Sequence, residues 1–149
     1  MLPFNKPLPD KGVQIIGILE RPMLDRKTLE RLGAWEGYRL KDVIWPDGEK
    51  GTVELHLEPT RKVMICSGCG KRCKQVHETA LRRVRDLPLF EYRVVLVVPR
   101  RRVWCERCGG PRLEQLSWLS RYQRITDRLA DACGRLLEGM TIQGVRRFY

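Results

Sequence analysis

Two segments of the chain, Cys66-Ser67-Gly68-Cys69-Gly70 and Cys105-Glu106-Arg107-Cys108-Gly109, repeat one pattern: two cysteines separated by two residues, then a glycine. The two-residue gap lets both thiolates aim at one ion while nearby backbone N–H groups bond the sulfurs. The glycine relieves a tight turn in which a Cβ would clash at positive φ. Two such knuckles supply four thiolates and complete a tetrahedral shell. A redox-inert ion that tolerates soft ligands and has no geometric preference of its own suits that shell best, so zinc is the first reading; iron in a rubredoxin-like site and disulfide pairing compete with it. Four cysteines leave no open position for water or substrate, so the expected ion is structural.

Ligand choice is a separate question, because Cys73 and His77 extend the first knuckle and could chelate an ion locally. The paired arrangement, Cys66, Cys69, Cys105 and Cys108, accounts for the second knuckle, which the local one leaves without purpose. On the paired reading Cys73 is a bystander near the site and His77 faces a phosphate or begins a strand. His56 lies on the solvated face of a strand, and Cys133 is a small core residue on the apolar stripe of a helix.

Thirty-five residues separate Cys69 from Cys105, more than the roughly 15 to 20 of a compact four-cysteine module. Something folded must fill the gap, and it reads as strands. Ala80 to Leu87 ends at Pro88, Tyr92 to Val98 ends at Pro99, and Arg100 to Trp104 leads into the second knuckle. These predict a zinc ribbon, a small antiparallel sheet that holds two knuckles over one ion and draws on the metal for stability.

Around the ribbon, residues 1–60 read as an N-terminal extension with a proline-spaced lead (Pro3, Pro7, Pro9) and an apolar run from Val13 to Leu19. A short helix follows from Asp25 to Gly33 with Asp25 as its cap, then a hairpin pairing Tyr38–Trp45 with Thr52–Leu57. Residues 61–112 form the zinc-binding β domain. Residues 113–149 are helical: apolar residues at Ile125, Leu129, Ala132, Cys133, Leu136, Leu137 and Met140 fall on one stripe. Ser120 with Gln123 makes a capping box at its start, Thr126 is the alternative cap, and Gly139 ends the helix. Thr141 then caps a second helix. A helix, a turn and a second helix are two thirds of a trihelical DNA-binding unit. The expected class is α+β, a zinc-ribbon-like antiparallel domain followed by an incomplete helix-turn-helix.

Charge narrows the function. The chain carries 29 Lys and Arg against 18 Asp and Glu. Between Arg61 and Arg112 there are 14 basic and 4 acidic residues, so ten of the eleven surplus charges lie on the metal-binding segment. Arginine outnumbers lysine 21 to 8, which suits forked contacts to phosphate oxygens and guanine edges. Arg82, Arg83 and Arg85 on one strand and Arg100, Arg101 and Arg102 before another make two clusters that a sheet would join, a surface fitted to double-stranded DNA. No cationic start followed by an apolar stretch marks a signal peptide, and no apolar run approaches the roughly 18 residues of a membrane span. The expected setting is a reducing cytoplasm and not a membrane.

Four stretches carry a resemblance: Cys66-Ser67-Gly68-Cys69-Gly70, Arg82-Arg83-Val84-Arg85-Asp86-Leu87-Pro88, Arg102-Val103-Trp104-Cys105-Glu106-Arg107-Cys108, and Arg121 to Leu129. Through them the chain, from about Tyr38 to Tyr149, resembles the N-terminal part of bacterial insertion-sequence transposases of the ISL-three family. That resemblance implies zinc on Cys66, Cys69, Cys105 and Cys108, binding to terminal inverted repeats, and DNA transposition as the process served. It also implies a bacterial, nucleoid-associated setting and a separate Asp-Asp-Glu catalytic domain in a protein of several hundred residues. The acids present here, Asp127 and Asp131 on a helix and Glu49, Glu54 and Glu58 in or beside a hairpin, read as solvated charges. The chain alone is therefore expected not to cut or join DNA, and no catalytic residue is assigned. The competing reading is a zinc-ribbon interaction or regulatory module that contacts a protein partner or forms a homodimer.

Overall fold

The computed structural model describes residues 25–48 and 50–149. The proline-spaced lead, the run Val13 to Leu19 and Glu49 lie outside the described residues. The order of elements is α1 (Arg26–Gly33), β1 (Tyr38–Ile44), β2 (Gly51–Pro59), β3 (Met64–Ile65), β4 (Arg72–Cys73), β5 (Val76–Leu89), β6 (Tyr92–Cys105), β7 (Gly110–Leu113), α2 (Asp127–Leu137) and α3 (Ile142–Phe148). The class is α+β, a largely antiparallel sheet followed by helices.

The main sheet runs β1-β2-β6-β5, with β7 also paired to β6, and β3 and β4 make a two-stranded hairpin of their own. Every pairing in it is antiparallel except β2 with β6. That parallel pair, from Gly51↔Tyr92 to His56↔Val97, joins the N-terminal hairpin to the ribbon strands. One sheet therefore crosses the boundary expected near residue 60, and the two units share a core.

The strands are longer than their prolines suggested. β6 passes through Pro99 without a break. On one flank it pairs with β2 up to Val97 and with β7 from Arg102, so Pro99 falls between partners, where that side of the ladder has no bond to lose. Pro88 is absorbed by an irregularity in the β5–β6 register between Asp86 and Leu89.

The core follows the strand period of two. Val53, Leu55 and Leu57 of β2, Val94, Leu96 and Val98 of β6 and Val84 of β5 are buried against Leu29, Trp35, Tyr38, Leu40 and Leu119. A second, smaller cluster, Met64, Cys66, Cys73, Val103 and Cys105, lies at the far end of β6.

The helix caps were partly legible. Asp25 accepts from Thr28 N at the start of α1, and Thr141 accepts from Gly144 N at the start of α3. The capping box at Ser120 is a correction: α2 starts at Asp127 with Thr126 as its cap. The preceding residues are committed to the sheet edge, since Arg85 N donates to Arg124 O (2.8 Å) and Thr126 N to Arg85 O (2.9 Å). Tyr122, expected within the helix, has a left-handed φ of 63°. No described helix is long and apolar enough to cross a membrane.

Candidate metal centre and nucleic-acid interface

Each knuckle sits at the turn of a hairpin. The first lies between β3 and β4, whose pairs are Met64↔Cys73 and Ile65↔Arg72. The second lies between the end of β6 and β7, whose first pair is Cys105↔Gly110. Both turns close on a glycine in the left-handed region. Gly70 and Gly109, the glycines that close the two patterns, have φ of 73° and 68°, which an L side chain reaches only with strain. Gly70 N donates to Cys66 O (2.8 Å) and Gly109 N to Glu106 O (3.2 Å). Gly68 N–H donates to the Cys66 sulfur (3.3 Å), as the knuckle pattern predicts.

The hairpins are held face to face by backbone bonds, Ser67 N to Leu113 O (3.0 Å), Gln115 N to Ile65 O (2.8 Å) and Trp104 N to Gln75 O (3.1 Å). All four sulfurs then converge. Cys66, Cys69, Cys105 and Cys108 offer ligand atoms within 4.8 Å of one another. Cys66 and Cys108 sulfurs are 3.8 Å apart and Cys69 and Cys105 sulfurs 3.5 Å. A tetrahedral zinc with bonds of about 2.3 Å needs sulfur separations of about 3.8 Å, so the cluster has the dimensions of a metal site. Among the described residues it is the one set of metal-ligating side chains that converges.

The thiols themselves call for a cation. The backbone N–H of Cys108, with the neighbouring thiols, lowers Cys105 to about 6. The adjacent Cys69 sulfur, then burial, push Cys108 up to about 12. The first thiolate thus opposes the next, and a divalent ion removes that opposition. Cys73 stays outside the set: its S–H points to Lys71 O (3.6 Å), and burial raises its pKa. His77 is exposed with its ring against Trp104, centroids 5.8 Å apart. His56 sits on the strand face opposite the core, half-buried 3.5 Å from Glu54. Cys133 is only half-buried on α2.

The six arginines expected to form one cationic face separate. Arg100 and Arg101 are both 7% exposed, so neither lies open on the surface beside the others. Arg101 makes a forked pair with Glu114, Nε to Oε2 at 2.8 Å and Nη2 to Oε1 at 2.6 Å, and gives Nη1 to Arg61 O at 2.8 Å. β7 returns alongside β6 and places Glu114 there, with Glu114 N bonded to Arg101 O. Arg100 donates Nη2 to Glu114 O (3.1 Å), and its Nη1 has no hydrogen-bond partner among the described residues. Arg83 is exposed but ion-paired with Glu54, whose carboxyl it holds below the usual range. Arg85 donates to Tyr149 O. Arg82 is exposed and makes no ion pair among the described residues, and Arg102 is exposed with Glu78 at 3.8 Å.

A groove of about 600 Å³ opens on the core-side face of β5 and β6, walled by residues 119–124. Arg82, Arg83, Arg100, Arg102 and Arg124 line it, with Glu78 the one carboxylate among the described lining residues. Arg124 and Tyr122, both exposed here, were not assigned from the sequence, which placed them on a helix.

At the other end of β5, Asp86 is buried and accepts from Trp35 Nε1 (3.1 Å), Thr126 Oγ1 (2.7 Å) and Arg128 Nε (2.7 Å). Burial works to raise its pKa, but Arg128 and Thr126 outweigh it and hold the carboxyl below its ordinary value. Two of the stretches quoted for the resemblance, Arg82 to Pro88 and Arg121 to Leu129, meet at this carboxylate.

Residues 62–108 match the family described as the zinc-finger of transposase IS204/IS1001/IS1096/IS1165. Over 127 residues, 85% of its length, the chain is 63% identical to the transposase for insertion sequence element IS1001 of Bordetella parapertussis. It spans 31% of the length of that relative. No solved structure gives a significant match.

Proposed function

The chain belongs to the ISL-three family of transposases, and from that premise we propose that it recognises double-stranded DNA at an element's terminal inverted repeats, with a structural zinc on Cys66, Cys69, Cys105 and Cys108. The observation that carries this reading is the placement of ten surplus positive charges on the segment that the four converging cysteines organise. Four thiolates close the coordination shell, so the ion stiffens the sheet and does no chemistry. Arg82, Arg85 and Arg102 are the expected phosphate contacts, and Arg83 joins them only by giving up Glu54. Arg100 and Arg101 are not in the exposed contact set. DNA transposition is the process served, and no catalytic residue is assigned here.

Gel-shift titration of zinc-loaded protein at two salt concentrations, against an inverted-repeat duplex and a random one, tests the proposal. Binding should weaken steeply with salt. Replacing Arg82, Arg85 and Arg102 by alanine should flatten the salt slope by up to about three phosphates' worth on both duplexes. Absence of binding at low salt refutes it.

A protein partner is the second reading, favoured by one observation. β5 is an edge strand, and its residues from Val76 to Arg83 are exposed, an open ladder on which another strand could pair. Sedimentation that gives a dimer, lost when Ala80 is replaced by proline, would favour it.

A further inference from the structure

Resting on the DNA-binding reading, we propose that the groove between β5, β6 and residues 119–124 receives a single unpaired nucleotide, with its phosphate at Arg100 and its base against Tyr122. Three observations support this. Arg100 lines the groove beside the Tyr38 phenol, is 7% exposed, and has a guanidinium nitrogen, Nη1, with no hydrogen-bond partner among the described residues. A buried charged donor left unpaired is costly, and among the described residues the acid nearby, Glu114, is already engaged by Arg101. An anion in the adjoining groove is the missing acceptor. Nη1 is covered in the free protein, so the arginine reaches that anion by shifting toward the groove.

The second observation is charge. Arg82, Arg102 and Arg124 stand around Arg100 with Glu78 as the one acid, held loosely at 3.8 Å from Arg102. An incoming phosphate takes that arginine from Glu78 and finds Arg82 and Arg124 without ion pairs among the described residues.

The third is Tyr122, on the groove wall. Its side chain is 69% exposed, its backbone holds a φ of 63°, and Arg121 lies 4.8 Å over its ring. A bulky residue held in the left-handed region is strained, and such strain gathers where a side chain must be presented in a set direction. Exposed aromatic rings beside arginines are stacking platforms for unpaired bases. A groove of about 600 Å³ falls within the range that holds a small ligand, which suits a single nucleotide.

The experiment compares a blunt duplex with the same duplex carrying a short single-stranded overhang, by fluorescence anisotropy on the zinc-loaded chain. The overhang should bind about tenfold more tightly. Tyr122→Gly, which suits the left-handed backbone, should keep the melting temperature and the affinity for blunt DNA and abolish that preference; Tyr122→Phe should retain it. Arg100→Gln should weaken binding of the overhang probe, and if it also lowers the melting temperature, Tyr122→Gly decides. A wild-type protein with no preference, or a preference that survives Tyr122→Gly, overturns the inference and leaves duplex binding standing. Failure to bind either probe at low salt overturns both.

Discussion

Replacing Asp86 by alanine should cost the fold about 3–4 kcal/mol. The carboxylate, with its side chain 1% exposed, is among the described residues the one acceptor of Trp35 Nε1 and Thr126 Oγ1, and both donors are buried: Trp35 is 6% and Thr126 1% exposed. Each donor stranded this way costs about 1–3 kcal/mol. Arg128 adds less than a fully buried partner would, because its side chain is 37% exposed and keeps its bond to Gly33 O (2.9 Å). The full penalty of about 3–5 kcal/mol for breaking a buried ion pair is therefore an upper bound. At about 2–4 °C per kcal/mol for a chain of this size, calorimetry should show a midpoint lower by about 10 °C. Asp86→Asn keeps an acceptor and should lose roughly half as much. The pH dependence has a definite sign. The folded pKa lies below the unfolded value of about 3.9, so the stabilisation is present above that value and is lost as pH falls through the folded pKa. Asp86→Asn should flatten the acid limb of stability below about pH 4. An Asp86→Ala midpoint within 2 °C of wild type, or an unchanged acid limb in Asp86→Asn, would refute the account.

Cys69→Ser, or chelation of the wild type, should abolish stoichiometric metal by elemental analysis and expose the amides of Cys66, Gly70 and Cys105 to hydrogen exchange. Amides of Leu55 and Leu96 in the main core should hold longer; simultaneous loss of all would show one core instead of two. Glu114→Ala should strand the Arg101 guanidinium, whose side chain is 8% exposed, and destabilise by about 3–5 kcal/mol, read by urea titration. Gly33→Ala should drive a Cβ to within 2.4 Å of the Trp35 ring carbons, costing about 1–3 kcal/mol and shifting the tryptophan emission; a neutral result would show that the ring moves aside freely.

What could be read from the sequence was local. A knuckle is five residues with fixed roles, so two copies of it specify four ligands, and the glycine that ends each is the residue found at positive φ. The caps at Asp25 and Thr141 were readable for the same reason, since an oxygen and the N–H three residues on make them. The Ser120 box failed because a distant residue decides it. Arg85, some forty positions away, takes the backbone of Arg124 and Thr126 into the sheet edge, and no local propensity for helix overrides those bonds. The parallel register of β2 with β6 was equally hidden, because it pairs residues some forty positions apart, Gly51 with Tyr92 through His56 with Val97.

The arginines show most clearly what a count of charges leaves out. Consecutive residues of a strand point to opposite faces, so Arg100 and Arg101 could not both belong to one surface with Arg102. Alternation alone still does not say which are free. That depends on acids elsewhere in the chain: Glu114 on the return strand takes Arg101, and Glu54 on β2 takes Arg83. A run of three arginines thus resolves into an interior pair, a buried guanidinium with one unmet N–H and an exposed side chain. The chemistry at the groove follows from that remainder. Glu114 is spent on Arg101, so among the described residues Glu78 alone stands in the groove against Arg82, Arg100, Arg102 and Arg124, and the groove carries an excess of positive charge that suits an anion.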